Sequence, residues 1–266
     1  MKRLITTAVL ALMALAVTHA IASAQDATEV MKKSHMAYYY AANDAVYEVT
    51  MHLFDKKGGE RTREFTMLRL DKEDGGDQKY YTYFRQPSDV ARLSFMVHKN
   101  ATGNDQRWIY VPSVDLVKPI SADDKNSSFV GSDFTYEDVS GRRWTEDNHK
   151  LLPESQLDGK AVFVVESTPL KPYKGFAKRI SYIDQTTHIP LKSEYFDDKG
   201  EVVRVEKAVK IEDIGGFPTV TSRSMESLKK GSRTVVDFTG TKYNVGLKDD
   251  FFTERYLKTP PREYVK

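Results

Sequence analysis

The sequence predicts a mainly β protein, one large antiparallel sheet of about 11 strands curled into a barrel. Three observations carry this. From Ala45 onward the apolar residues recur with a period of two, short strand-like runs follow one another along the chain, and turn residues separate them. Runs of ten or more residues such as Glu201–Ile211 suit a strongly curved sheet better than a compact sandwich.

The chain opens with Met1-Lys2-Arg3, an apolar stretch from Leu4 to Val17 and then Ala22-Ser23-Ala24. A basic start, a short apolar core and an A-x-A site read as a secretory signal peptide cleaved after Ala24. The apolar stretch is short for a bilayer span. The expected organisation is therefore a signal peptide, 1–24, and a single domain, 25–266, in the periplasm. No later stretch approaches the length of a membrane span.

The first element of the mature chain reads as a helix. Asp26 and Glu29 make a capping box, and Ala27, Val30, Met31, Ser34, Ala37, Tyr38 and Ala41 form one stripe, with Asn43-Asp44 as its end. Tyr47, Val49, Met51 and Leu53 then alternate with Glu48, Thr50 and His52, so the two sets occupy opposite faces of a strand. Further strands are read at Arg63–Leu70, Lys79–Arg85, Arg92–Lys99, Gln106–Val111 and Asp115–Ile120. After the polar stretch Ser121–Ser128 comes a glycine-containing segment, Phe129–Ser140. The second half supplies Ala161–Ser167, Phe176–Asp184, Pro190–Phe196, Glu201–Ile211, Phe217–Leu228 and Ser232–Tyr243. Phe54-Asp-Lys-Lys-Gly58 and Phe196-Asp-Asp-Lys-Gly200 are near-copies that shared hairpin chemistry explains without duplication. The tail with Pro260 and Pro261 reads as a loose strap.

Removal of residues 1–24 takes two of the 40 basic residues and no acidic one, leaving 38 of each sign. That balance gives no electrostatic reason to expect nucleic acid or an anionic membrane surface as partner. With no cysteine, thiol chemistry, lipid anchoring through cysteine and disulfides are all excluded, so the core alone must hold the fold. The chain has no G-x-S-x-G elbow, H-E-x-x-H pair, P-loop or G-x-G-x-x-G. His35, His52, His98, His149 and His188 are scattered singly, and neither Asp123-Asp124 nor Asp133 with Asp138 has EF-hand spacing. The expectation is a protein that is not an enzyme, with no cofactor, no metal and no catalytic residue.

The aromatic residues are the more informative set. Tyr38-Tyr39-Tyr40, Tyr80, Tyr81, Tyr83, Phe84, Trp108 and Tyr110 are many rings for one half of a sheet. One reading is ordinary core filling. The other is a deformable apolar lining of rings and methionines, Met51, Met67 and Met96 among them, that takes an apolar cargo. The candidate cargo-lining residues are Tyr47, Val49, Met51, Leu53, Phe65, Met67, Tyr81, Tyr83, Trp108 and Tyr110. Phe129, Gly131, Ser132, Asp133, Phe134 and Tyr136 read as a plug, or alternatively a lid. In that segment Gly131 supplies an unusual backbone angle, Ser132 or Asp133 caps a short turn, and the rings fill the barrel.

Trp108-Ile-Tyr-Val-Pro112 followed by Phe129-Val-Gly-Ser-Asp-Phe-Thr-Tyr-Glu-Asp138 resembles the signature of the outer-membrane lipoprotein-sorting family. Arg61-Thr-Arg-Glu-Phe65, the Phe84-x-x-Pro87 step, Asn244-Val-Gly-Leu247 and Phe251-Phe-Thr-Glu-Arg255 extend the likeness over nearly the whole mature chain. The family is similar to the periplasmic lipoprotein carrier. The resemblance implies a half-open antiparallel β-barrel closed by a few α-helices, with an apolar cavity for a lipid or the acyl chains of a lipoprotein. It also implies a membrane exporter of the resistance–nodulation–division type as partner. On this basis the expected function is a monomeric periplasmic carrier that passes its cargo between membrane partners. The alternative is a lipid- or lipoprotein-sensing or accessory binding module of such an exporter.

Overall fold

The computed structural model describes residues 27–265, so the expected signal peptide and the Asp26 cap lie outside the described residues. Helix α1 covers residues 27–39, where the sequence places its stripe. It ends before Asn43-Asp44, because Asp44 is already the first residue of a strand.

Among the described residues all thirteen strands belong to one antiparallel sheet. They are β1 (Asp44–Phe54), β2 (Glu60–Asp71), β3 (Gln78–Gln86), β4 (Ser94–Lys99), β5 (Gln106–Val111), β6 (Leu116–Pro119) and β7 (Asp147–Leu157). The rest are β8 (Lys160–Pro169), β9 (Lys178–Asp184), β10 (Pro190–Phe196), β11 (Val202–Ile214), β12 (Phe217–Ser227) and β13 (Ser232–Tyr243). Their spatial order is β6-β5-β4-β3-β2-β1-β13-β12-β11-β10-β9-β8-β7. Every neighbouring pair but one is a sequence-adjacent hairpin; the exception joins β1 to β13 at the centre. The mainly β, antiparallel and open reading therefore holds, whereas the count of about 11 strands and the barrel do not: the described residues form thirteen strands in one open sheet, with β6 and β7 as its two edges. The reason lies in residues 120–146, which leave the sheet between the two edges instead of pairing them. They carry the short helix α2 (Tyr136–Ser140).

The strand missed in the sequence is β7, an exposed edge strand containing Pro153, which a period of two does not reveal. The near-copy hairpins do share one device. Asp55 Oδ1 accepts from the amides of Lys57 and Gly59, and Asp197 Oδ1 accepts from those of Lys199 and Glu201. Gly58 and Gly200 both sit at positive φ, +84° and +78°, where a side chain would be strained.

One face of the sheet, here the inner face, receives α1 and the 129–140 segment. Its core contains Val49, Met51, Leu53, Phe65, Met67, Phe84, Phe95, Phe129, Phe134 and Met225. Ala27 and Met31 of α1 pack against Val165 and Ile183 at the β8–β9 end. The other face carries a second core over β1–β5, where Leu68, Tyr81, Met96 and Tyr110 meet Leu247, Phe251, Phe252 and Leu257.

The tail is thus not a loose strap. Its helix α3 (Glu254–Lys258) is docked through Ser94 Oγ, which donates to the Leu257 carbonyl at 2.6 Å, and Tyr81 OH, which donates to that of Tyr256 at 2.9 Å. The entry to the tail is pinned by the buried Asp44 carboxylate, which accepts from the amides of Val245, Gly246 and Leu247 at 2.7, 3.0 and 3.1 Å. Asp44→Ala should release this clamp at a cost of about 2–3 kcal/mol, since hydrogen bonds to a charged group are the stronger kind. Urea unfolding is the check, and an unchanged midpoint would show that the tail docks through its apolar side chains alone.

Candidate functional site

The inner face is continuous across β13, because Met51 and Val49 of β1 lie opposite Val236 and Phe238, and Val236 lies in turn opposite Arg223 of β12. Of the residues read as cargo lining, Val49, Met51, Leu53, Phe65 and Met67 share this inner core, with Tyr47 packed against it. Tyr81, Tyr83, Trp108 and Tyr110 fall in the opposite core beneath the tail. On β3 both faces are aromatic, with Tyr80, Thr82 and Phe84 inward and Tyr81 and Tyr83 outward, so alternation cannot assign them.

The segment read as a plug is built into the inner core. Val130 and Gly131 take positive φ, +48° and +83°, which turns the chain back so that the Phe129 amide bonds the Phe134 carbonyl at 2.8 Å. Phe129 then meets Phe84, Phe95 and Tyr136 at centroid separations of 5.8, 5.5 and 5.6 Å, the range in which ring pairs attract. Within this turn Ser132 Oγ donates to the Phe134 carbonyl at 3.3 Å, and the helix α2 that follows is capped by Thr135, whose Oγ1 accepts from the Asp138 amide while Asp138 accepts from the Thr135 amide.

Asp133 has a different task, fastening the segment to β13. Its carboxylate accepts from Ser232 Oγ at 2.6 Å and Thr234 Oγ1 at 2.9 Å. Asp138 ties the segment to β11 through Arg204 at 2.9 Å. Burial opposes its charge, but Arg204 and the Thr135 donors outweigh that and hold the carboxyl below its ordinary range.

With the rings in place, the space left among Met51, Phe65, Phe129, Phe134, Val236 and Arg223 is only about 20 Å³. Two further cavities of about 70 Å³ flank α1. One is lined by Tyr47, Met67, Tyr80 and Phe238, and the other by polar side chains of β9–β12. A wider polar cleft of about 590 Å³ opens where loops 101–104, 122–126, 142–146 and 170–174 converge. Beneath it the buried Glu137 is bonded by Lys125 at 2.6 Å and by the Tyr173 hydroxyl.

Sequence reasoning missed the charged groups of the interior. Arg223 Nη1 is 3.0 Å from Tyr38 OH of α1 and 3.4 Å from Glu206. Arg69 reaches the carbonyls of Tyr39, Ala41 and Ala42, fixing the end of α1. Burial pushes the carboxyl of its neighbour Asp71 up to about 7 against the pull of Arg69 and Gln78. An arginine on the inner side of a strand, such as Arg223 two residues before Met225, was the available signal. His35 is buried against the rings of Tyr39 and Tyr40. Among the described residues no cluster of three His, Asp or Glu could hold a metal ion, and no helix is long and apolar enough to cross a membrane.

A family model described only as an uncharacterized protein matches residues 76–259. No curated protein matches the chain. Among solved structures, a DUF1329 family protein from Desulfovibrio piger is 27% identical, with a TM-score of 0.83 over 88% of this chain and 99% of that one. A domain from Vibrio parahaemolyticus assigned by name to outer membrane lipoprotein sorting is 26% identical, with a TM-score of 0.82 over the same shares. A LolA superfamily protein from Nitrosomonas europaea, 18% identical, shares the fold with a TM-score of 0.68 over 86% of this chain and 98% of that one.

Proposed function

The chain belongs to the family whose model spans residues 76–259, and from that premise we propose that it is an exported, non-enzymatic carrier that takes a lipid, or the acyl chains of a lipoprotein, into the interior of its curled sheet. The fold is of the lipoprotein-carrier type. The observation that carries the proposal is that this interior is apolar and closed by the protein's own rings. Phe129, Phe134 and Tyr136 fill it from a segment outside the sheet.

The energetics favour such a device. Each acyl CH₂ withdrawn from water is worth about 0.8 kcal/mol, or roughly 12 kcal/mol for a 16-carbon chain. A diffusible carrier must meet that with an enclosed apolar surface. In this reading the 129–140 segment covers the apolar face when cargo is absent and yields to an acyl chain when it is present. Its tethers at Asp133 and Asp138 are polar and restorable, so exchange need not disturb the sheet. Delivery to a membrane partner, an exporter included, then requires only a competing apolar surface.

Protein purified from the periplasm of its native host should release an acyl-bearing lipid into organic solvent in about stoichiometric amount, as read by mass spectrometry. It should also donate that lipid to vesicles. An extract free of lipid, together with no uptake from vesicles, would overturn the proposal.

A further inference from the structure

We propose that the polar cavity between α1 and strands β9–β12 is a binding site for an oxyanion, with Arg179 and Arg223 holding the carboxylate or phosphate head of an amphiphile. This deepens the carrier reading and rests on it for the source of the anion.

The cavity holds about 70 Å³. That is room for about two waters at their liquid volume of ~30 Å³, or for one small oxyanion. Both arginines line it with donors to spare. Arg179 has Asp147 as its nearest acid, at 3.8 Å, which is beyond hydrogen-bond reach, and its buried Nε has no partner. Arg142 engages only Oδ1 of Asp147, at 3.0 and 2.9 Å, so the Oδ2 that faces Arg179 has no hydrogen-bond partner either and the two groups interact by charge alone.

Arg223 is buried, and its Nε also has no partner. Its acid is Glu206, at 3.4 Å, which accepts from Tyr195 OH through its other oxygen. On the cavity wall the hydroxyls of Ser181 and Ser193 are hydrogen-bonded to each other at 3.3 Å. Two guanidiniums and one carboxylate, that of Glu206, line the same cavity, so the excess positive charge suits a bound anion. The behaviour of His35, also on the wall, agrees: burial, and then the positive charges of Lys99, Arg179 and Arg143, push its pKa down to about 3.

The position of Arg223 supplies the acyl direction. It lines both this polar cavity and the apolar space beside Met51 and Phe129, and its guanidinium lies 4.6 Å from the centre of the Phe134 ring. A head bound at Arg179 and Arg223 would therefore send its chain along the Phe134 ring into the inner core.

The test is calorimetric titration of the full mature protein with palmitate, methyl palmitate and inorganic phosphate, repeated on Arg179→Gln. Palmitate should bind at least about tenfold tighter than its uncharged ester. Arg179→Gln should erase that difference while leaving methyl palmitate unchanged. Equal binding of acid and ester by the wild type would overturn the anion site and leave the carrier standing. Phosphate binding that Arg179→Gln abolishes, with no binding of either palmitoyl compound, would keep the site as one for free anions and overturn the carrier. If nothing binds, both fall. Should Arg179→Gln not fold, Ser193→Asp serves instead: a carboxylate there should repel palmitate by at least about tenfold and spare the ester.

Discussion

Met51→Lys is expected to leave the protein unfolded or barely folded, and Met51→Glu to be destabilising but distinctly milder. Met51 is buried, opposite Arg63 on β2 and opposite Val236 on β13, beyond which lies Arg223. Any charge at this position is taken out of water, and an unpaired buried charge costs about 3–5 kcal/mol against a typical total stability of about 5–15 kcal/mol. The sign of the charge then matters. A lysine would join two buried guanidiniums, of which Arg63 has both Nε and Nη1 without a hydrogen-bond partner. A glutamate would offer those groups an acceptor. Thermal melting of both variants is the measurement, and equal losses would show that neither arginine senses position 51. Alternation alone would choose His52→Glu as a silent control, but His52 Nδ1 is bonded to Glu60 at 2.7 Å with Asp237 nearby. A third carboxylate there would repel, so His52→Gln is the proper control.

His35 should make the protein lose stability as the pH falls below neutrality. Its imidazole is held neutral by burial and by the nearby positive charges, with its pKa lowered from 6.5 to about 3. Between those values the unfolded chain binds a proton that the folded one refuses. The contribution is therefore complete above pH 6.5 and declines as the pH drops toward 3. At about 1.4 kcal/mol per unit, the full difference is about 5 kcal/mol. Asp71 acts in the opposite sense: its raised pKa means stability is lost as pH rises from about 4 to 7. The two slopes overlap, so the informative quantity is the difference between wild type and His35→Phe, which keeps a ring against Tyr39 and Tyr40. Between pH 7 and 4 the urea midpoints of the two should diverge as the pH falls, with the variant gaining on the wild type at the acid end. Parallel curves would mean that His35 takes up a proton in the folded state without penalty.

Much of the sheet is legible in the sequence because its strands alternate and end at turn residues. Gln106–Val111, Pro190–Phe196 and Ser232–Tyr243 have the same bounds in sequence and structure. The features that local pattern does not convey are those set by partners far along the chain. Whether a run of strands closes into a barrel depends on what lies between the edges, and here residues 120–146 turn inward. The split of Tyr81, Tyr83, Trp108 and Tyr110 from Met51 and Phe65 follows from strands apolar on both faces. Inward arginines can be noticed on a strand, but their partners cannot, since Arg204 meets Asp138 across 66 residues and Arg223 meets Tyr38 across 185.

The pairing of β1 with β13 sets the order in which this protein can be assembled. Each half of the sheet is a run of local hairpins that can form as soon as its strands exist. The join between the halves brings together residues such as Glu48 and Thr239, 191 positions apart, and its loop-closure entropy must be met before any contact rewards it. Until the last strand arrives, β1 and β12 are long unpaired edges ready to add a foreign strand. Chains truncated before residue 232 should therefore aggregate through these two edges, and the intact chain should fold with a late step that reports the zipping of its own middle.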